Sequence, residues 1–176
     1  MMKEVYGERI IAAQVASIAK RVADDYSLCK LSLAVVLPDS YIFAADLMRA
    51  LPDRTHDHAR VDFAFITRGS TAIPPKAKHG VIVRAIPPAP ASFRGRDVLI
   101  VTDGAAPGEF AMLEDMDRDI EMAGASTVRA AALVWRKGAG RPPRYVGFEV
   151  AGDAELSGYG IGGGHTPGLW AESADD

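Results

Sequence analysis

A single cysteine, Cys29, leaves the chain no internal disulfide to form, which fits a reducing compartment. Set between Leu28 and Lys30, it reads as a small packing residue rather than a nucleophile. There is no CxxC, HExxH, P-loop or nucleophile-elbow signature, so the chemistries those motifs carry have no footing here. No apolar run approaches a membrane span, and the opening MMKEVYGERI lacks the apolar core of a signal peptide. Nor does one charge dominate: 20 Lys and Arg against 23 Asp and Glu give a net charge of −3, with no broad attraction for nucleic acid or an anionic bilayer. The expectation is a cytoplasmic protein that partners neither nucleic acid nor membrane.

What is present is a core. With 48% hydrophobic and 24% charged residues in 176, the chain has the composition of a soluble globular protein and the length for one full domain. That domain is expected over residues 1–170, with the acidic end AESADD (171–176) fraying. Ile11, Val15, Ile18 and Val22 recur at helical spacing, so residues 8–26 read as an amphipathic helix. Residues 30–37 (KLSLAVVL) read as a buried strand broken by Pro38-Asp39-Ser40, after which a helix carries Phe43, Leu47 and Leu51 inward. Strands are expected at 60–67, 80–86, 97–102, 127–135 and 145–150, the last two flanking the basic loop RKGAGRPPR. A helix from about Pro107 to a stop at Gly124 places Phe110, Leu113, Met116 and Ile120 on its inner face. Strands alternating with helices predict an α/β fold, a mostly parallel sheet flanked by helices. Ligands of such sheets bind beyond the carboxyl ends of the strands. Three segments fall there: residues 38–40, residues 103–108 and the stretch after Val134.

The order and spacing of these pieces resemble the hypoxanthine-guanine phosphoribosyltransferases, of the type I phosphoribosyltransferase fold. The resemblance runs from about Gly7 to Leu169. It rests on IAKRVADDY, LAVVLPDSYIFAADLMRAL, RVDFAFI, GRDVLIVTDGAAPGEF, AALVWRKG, YVGFEV and GYGIGG in that order. It implies transfer of a purine onto phosphoribosyl pyrophosphate with magnesium, in a homodimer or homotetramer. It also implies a cis peptide in the loop after the first buried strand, here Leu37–Pro38.

The departures fall on the functional positions. In the family, the loop after the VLIV strand carries two acids for the ribose, a later Asp facing the base, and Thr-Gly-x-Thr around the 5′-phosphate. Here the acid pair is Thr102-Asp103, followed by Gly104 and Ala105. The later Asp is Ala106, and the phosphate cradle is Pro107-Gly108-Glu109-Phe110. The family's pyrophosphate loop, Leu-Lys-Gly-Gly, is Leu37-Pro38-Asp39-Ser40. The lysine that reads the purine 6-oxo group is Trp135, the stacking aromatic falls at Glu155 or Leu156, and the second-metal aspartate is Gly162. No metal site is expected, and magnesium only insofar as transferase activity survives.

Several residues admit two readings. Asp103 is a retained ribose ligand or a cap at a strand end. Ser40 caps its helix while Asp39 sits in a turn, or both line the cleft. Trp135 is packing at a strand end or a stacking platform. His165 lies in a flexible surface loop, or beside glycines 162–164 that let an anion approach their N–H groups. His56 and His58 lack a third ligand nearby and read as a solvated loop rather than a metal pair. Arg136, Lys137, Arg141 and Arg144 form a solvated basic hairpin or a patch for a phosphate or an acidic partner.

The functional expectation is a divergent purine phosphoribosyltransferase homologue without normal transfer. It would bind a planar, weakly charged small molecule through Asp39, Ser40, Asp103, Gly104, Ala106, Pro107, Gly108, Glu109, Trp135 and His165, or act as a regulatory protein. The alternatives are an active purine phosphoribosyltransferase of nucleotide salvage with an atypical site, and unrelated acid–base chemistry by Asp39, Asp103 and His165 on a neutral planar ligand. In any catalytic reading Asp103 is the residue expected to act.

Overall fold

The computed structural model describes residues 1–26, 31–52, 62–68, 81–82, 93–105 and 109–172, with the backbone alone for 62–68, 81–82 and 109. Cys29, His56, His58, Ala106, Pro107 and Gly108 lie outside the described residues, as do most of the expected strand at 80–86 and residues 173–176. Two sheets are built from strands β1 (Met2–Tyr6), β2 (Leu31–Leu37), β3 (Asp62–Arg68), β4 (Val81–Ile82), β5 (Asp97–Thr102), β6 (Thr127–Arg136), β7 (Tyr145–Val150), β8 (Leu156–Ser157) and β9 (Leu169–Glu172). Among the described residues three helices accompany them: α1 (Glu8–Tyr26), α2 (Tyr41–Ala50) and α3 (Glu109–Met122).

The main sheet has the order β4-β3-β2-β5-β6-β7. Strands β3, β2, β5, β6 and β7 are parallel, and β4 is antiparallel at the edge. Alternate residues of β2 and β5 feed two cores. Leu31, Leu33, Val35, Leu99 and Val101 pack with α1 and α2, whereas Ala34, Val36, Val98 and Ile100 pack under α3. Burial on both faces is why these strands read as unbroken apolar runs. The expected inner faces hold: Ile11, Val15, Ile18 and Val22 of α1 are buried, as are Phe110, Leu113, Met116 and Ile120 of α3. Gly124, at φ +93°, ends α3 in a Schellman motif, with Gly124 N–H donating to Glu121 O and Ala125 N–H to Ile120 O.

Two expectations are corrected here. The tail does not fray from residue 171, because β9 continues to Glu172. Ala171 and Glu172 pair with Lys3 and Met2 of β1, a strand with no signal in the sequence. The basic segment is not a hairpin either. Strands β6 and β7 run parallel, so residues 137–144 must return along the length of the sheet without a helix. Pro142 and Pro143 hold that return extended, and Gly138 and Gly140 turn it at φ +85° and +104°.

The basic patch also divides. Arg144 donates from Nε and Nη2 to Oδ2 of Asp25 on α1, and the same oxygen accepts from Arg129 Nη1 (3.1 Å) and the Tyr145 hydroxyl (2.7 Å). The Tyr145 hydroxyl first, then the Arg144 and Arg129 guanidiniums, hold the Asp25 carboxyl below its ordinary 3.8 against the opposing effect of burial. A lowered carboxyl pKa contributes stability that is present above the unfolded value and lost as pH falls through the folded one. Asp25→Asn is therefore expected to lower the urea midpoint at neutral pH. The gap from the parent should close as pH falls through and below 3.8; a gap that persists at lower pH would show that the carboxylate charge is not the stabilising feature.

Candidate functional site

After β2 the chain crosses to β3 on one side, and it later returns as β5 on the other. The loops beyond β2 and β5 therefore flank a topological switch point, where α/β sheets open a crevice. The loop after β2 begins with a cis Leu37–Pro38 peptide, as expected. Ser40 follows at the N-cap position of α2, fully buried, yet its hydroxyl makes no capping bond. It reaches across the crevice instead. Ser40 Oγ donates to Asp103 Oδ2 at 2.9 Å and accepts the Asp103 backbone N–H at 2.8 Å. The other carboxylate oxygen, Oδ1, accepts the Ala105 N–H at 2.8 Å. The expectation of a side-chain cap thus gives way to a long-range pair, because a buried carboxylate needs donors more than a helix end with alternatives does.

Asp103 is 2% exposed, and its two oxygens are spent on the loops themselves. Gly104 beside it has φ +74°, and a Cβ there would run into the Val134 carbonyl oxygen. Val134 N–H in turn donates to Asp103 O. The loop after β5 is thus pressed against β6 as well as pinned to Ser40. Each Asp103 oxygen already accepts a hydrogen bond from the protein, and Gly162, at the second-metal position, offers no side chain. Among the described residues, no group of three His, Cys, Asp or Glu converges on a metal position.

Arg136, at the end of β6, is the residue that sequence reasoning placed wrongly. It is 8% exposed rather than part of a solvated patch. Its Nε donates to Ala105 O at 2.7 Å, and Nη1 donates to Gly152 O and Ala154 O. One guanidinium therefore ties the loop after β5 to the segment leading into β8. Alternation could not mark it, because β6 is buried at the consecutive positions 131–134 and neither parity is the solvent face.

Trp135 is half-buried and packs against the α3-side core. Its indole Nε1 is buried, and among the described residues no acceptor reaches it. Asp39 is half-buried and Glu155 exposed, while Leu156 begins β8. Glu109 opens α3. The glycine-rich loop is at the surface around His165, where residues 162, 163 and 165–167 are exposed, but its first part is anchored inward. Tyr159 and Ile161 are buried in the α1–α2 core, and the N–H groups of Gly158, Tyr159, Gly160, Ile161 and Gly164 all bond within the loop. His165 is exposed and lines a separate groove of about 300 Å³ with Glu8, Asp46 and Tyr159, whose lining includes neither Asp39 nor Asp103. The acid–base trio is not brought together there. No helix among the described residues is long and apolar enough to cross a membrane.

No family profile matches the chain, and no protein of curated function matches it in sequence. Solved structures do. A hypoxanthine-guanine phosphoribosyltransferase from Bacillus anthracis superposes with a TM-score of 0.78 at 19% identity, over 98% of this chain and 99% of that one. A hypoxanthine phosphoribosyltransferase from Staphylococcus aureus gives 0.79 at 17%, over 98% and 93%. The Trypanosoma cruzi enzyme, as a K68R mutant in a ternary substrates complex, gives 0.77 at 22%, over 98% and 95%. The shared feature is the architecture: this chain has the α/β fold of the hypoxanthine phosphoribosyltransferases.

Proposed function

We propose that this chain is a divergent purine phosphoribosyltransferase homologue that does not carry out normal transfer from phosphoribosyl pyrophosphate. It serves instead as a binding or regulatory protein, taking a small, planar, weakly charged molecule in the cleft beyond β2, β5 and β6. The observation that carries this reading is the Ser40–Asp103 pair. The acid that the resemblance would assign to the ribose is buried, with both oxygens occupied from within the protein. Trp135 supports the second half. It stands where a lysine would read the base, and it holds a buried N–H with no acceptor among the described residues, a group that in a native structure calls for a partner.

A melting-temperature screen tests the reading. Hypoxanthine, guanine and adenine stand for neutral planar ligands, and phosphoribosyl pyrophosphate with magnesium for the transferase substrate. A bound base at 100 times its dissociation constant stabilises by about 2.7 kcal/mol, roughly 5–11 °C for a chain of this size. Trp135→Ala should abolish the shift, Trp135→Phe should keep most of it by retaining a ring face, and Glu109→Lys should leave it unchanged. A shift that survives Trp135→Ala would remove the platform. A shift from phosphoribosyl pyrophosphate alone would favour the other reading, an active purine phosphoribosyltransferase with an atypical site. That reading draws on the Trypanosoma cruzi enzyme, which is known in complex with its product IMP. An assembly of two or four copies belongs to either reading.

A further inference from the structure

The return from β6 to β7 leaves a space that a crossover helix would have filled. Eight residues, 137–144, make the return, and a segment so short and so rich in proline and glycine presents no broad apolar face to the sheet. Between it and α3 lies an open groove of about 640 Å³, within the range of small-molecule sites. Its lining includes none of Asp39, Ser40, Asp103 or Trp135, so it is distinct from the cleft.

We propose that this groove is a second binding site, for a compact aromatic or aliphatic molecule bearing a single carboxylate, sulfonate or phosphate. The walls for an apolar body come from Phe110 and Leu113 of α3, Val128 and Ala130 of β6, and Pro142 and Pro143 of the return. The prolines fix their own backbone, so these contacts are preformed. The anionic group is called for by the arginines. Arg129, Arg141 and Arg144 all line the groove. Arg129 and Arg144 share one carboxylate oxygen, that of Asp25, so the wall they form is not neutralised by the protein. Arg141 is exposed and makes no ion pair among the described residues. Guanidiniums present paired donors that match carboxylate and phosphate oxygens. The opposite wall carries Glu114 and Asp117, which limits the ligand to one negative group and sets its direction, charge toward the return and apolar body toward α3.

The probe is 8-anilinonaphthalene-1-sulfonate, an aromatic body with one sulfonate, titrated by fluorescence into the folded full chain. Saturable binding to one site is expected. Arg141→Glu should weaken it at least tenfold. Ala111→Trp, on an exposed position of α3 that lines the groove, should block it. The uncharged analogue N-phenyl-1-naphthylamine should bind at least tenfold more weakly. Circular dichroism establishes that both variants are folded, and since both positions are exposed, either one decides the matter if the other melts early. No binding, equal binding by Arg141→Glu and Ala111→Trp, or equal binding of the neutral analogue would each overturn the proposal. Because the probe reads a groove outside the cleft, its failure says nothing for or against a planar ligand at Trp135.

Discussion

Titrating phosphoribosyl pyrophosphate with magnesium into the protein at millimolar concentration is expected to give no measurable heat of binding. Two hydroxyl donors that the resemblance would place around the 5′-phosphate are replaced by Pro107 and Phe110, and Pro107 lacks a backbone N–H as well. Each lost charge-assisted bond is worth roughly 1.5–3 kcal/mol. A carboxylate such as Glu109 about 4 Å from a phosphate charge adds on the order of 1–4 kcal/mol of repulsion. Together these are about 4–10 kcal/mol, or some three to seven orders of magnitude in affinity. The buried Asp103 adds to the deficit, since at 2% exposure a ribose could reach it only if the loops around it moved. Calorimetry reads the result directly. Micromolar affinity would mean that the cleft reorganises around the substrate, and it would restore the transferase reading.

Replacing Arg136 by methionine is expected to cost about 3 kcal/mol of folding stability and to lower the melting temperature by roughly 6–12 °C. The side chain supplies donors to three backbone carbonyls from a nearly buried position. Methionine fills similar space and leaves all three without a partner. Lysine offers one nitrogen for three acceptors in a fixed fork, so Arg136→Lys should recover only part of the loss. Lys137→Met, at the exposed neighbour, should change stability by less than about 0.5 kcal/mol. Urea denaturation of the three variants checks this, and a loss below about 1 kcal/mol for Arg136→Met would mean that water replaces the guanidinium without penalty.

The parts of the fold that were legible in the sequence are those where one local pattern suffices. Strands β2 and β5 are buried on both faces and read as unbroken apolar runs, while α1 and α3 repeat their inner residues at helical spacing. The parts that were not legible depend on residues far apart in the chain. Strand β1 is mostly exposed, so MKEVY carries no burial pattern, and its existence follows only from its pairing with β9. Sequence gives the length of the 137–144 connection but not whether β7 lies parallel or antiparallel to β6. In the candidate site, which loops meet was readable from the order of the elements. That Ser40 would choose Asp103 over its own helix was not, because both partners satisfy the same hydroxyl and only the tertiary distance decides. Arg136 was misplaced for a related reason: its carbonyl partners lie in irregular segments that no periodicity marks.

The small sheet of β1, β9 and β8 joins the beginning of the described chain to its end, Met2 beside Glu172. During synthesis, the backbone groups of β1 wait for their partners until β9 has left the ribosome, while the main sheet already has β2 through β7 in hand. The ring stack of Tyr6 on Phe148, with centroids 3.9 Å apart, offers the waiting strand an earlier foothold on the main sheet. The small sheet is therefore the last part of the described fold to close, after the main sheet it leans on has formed.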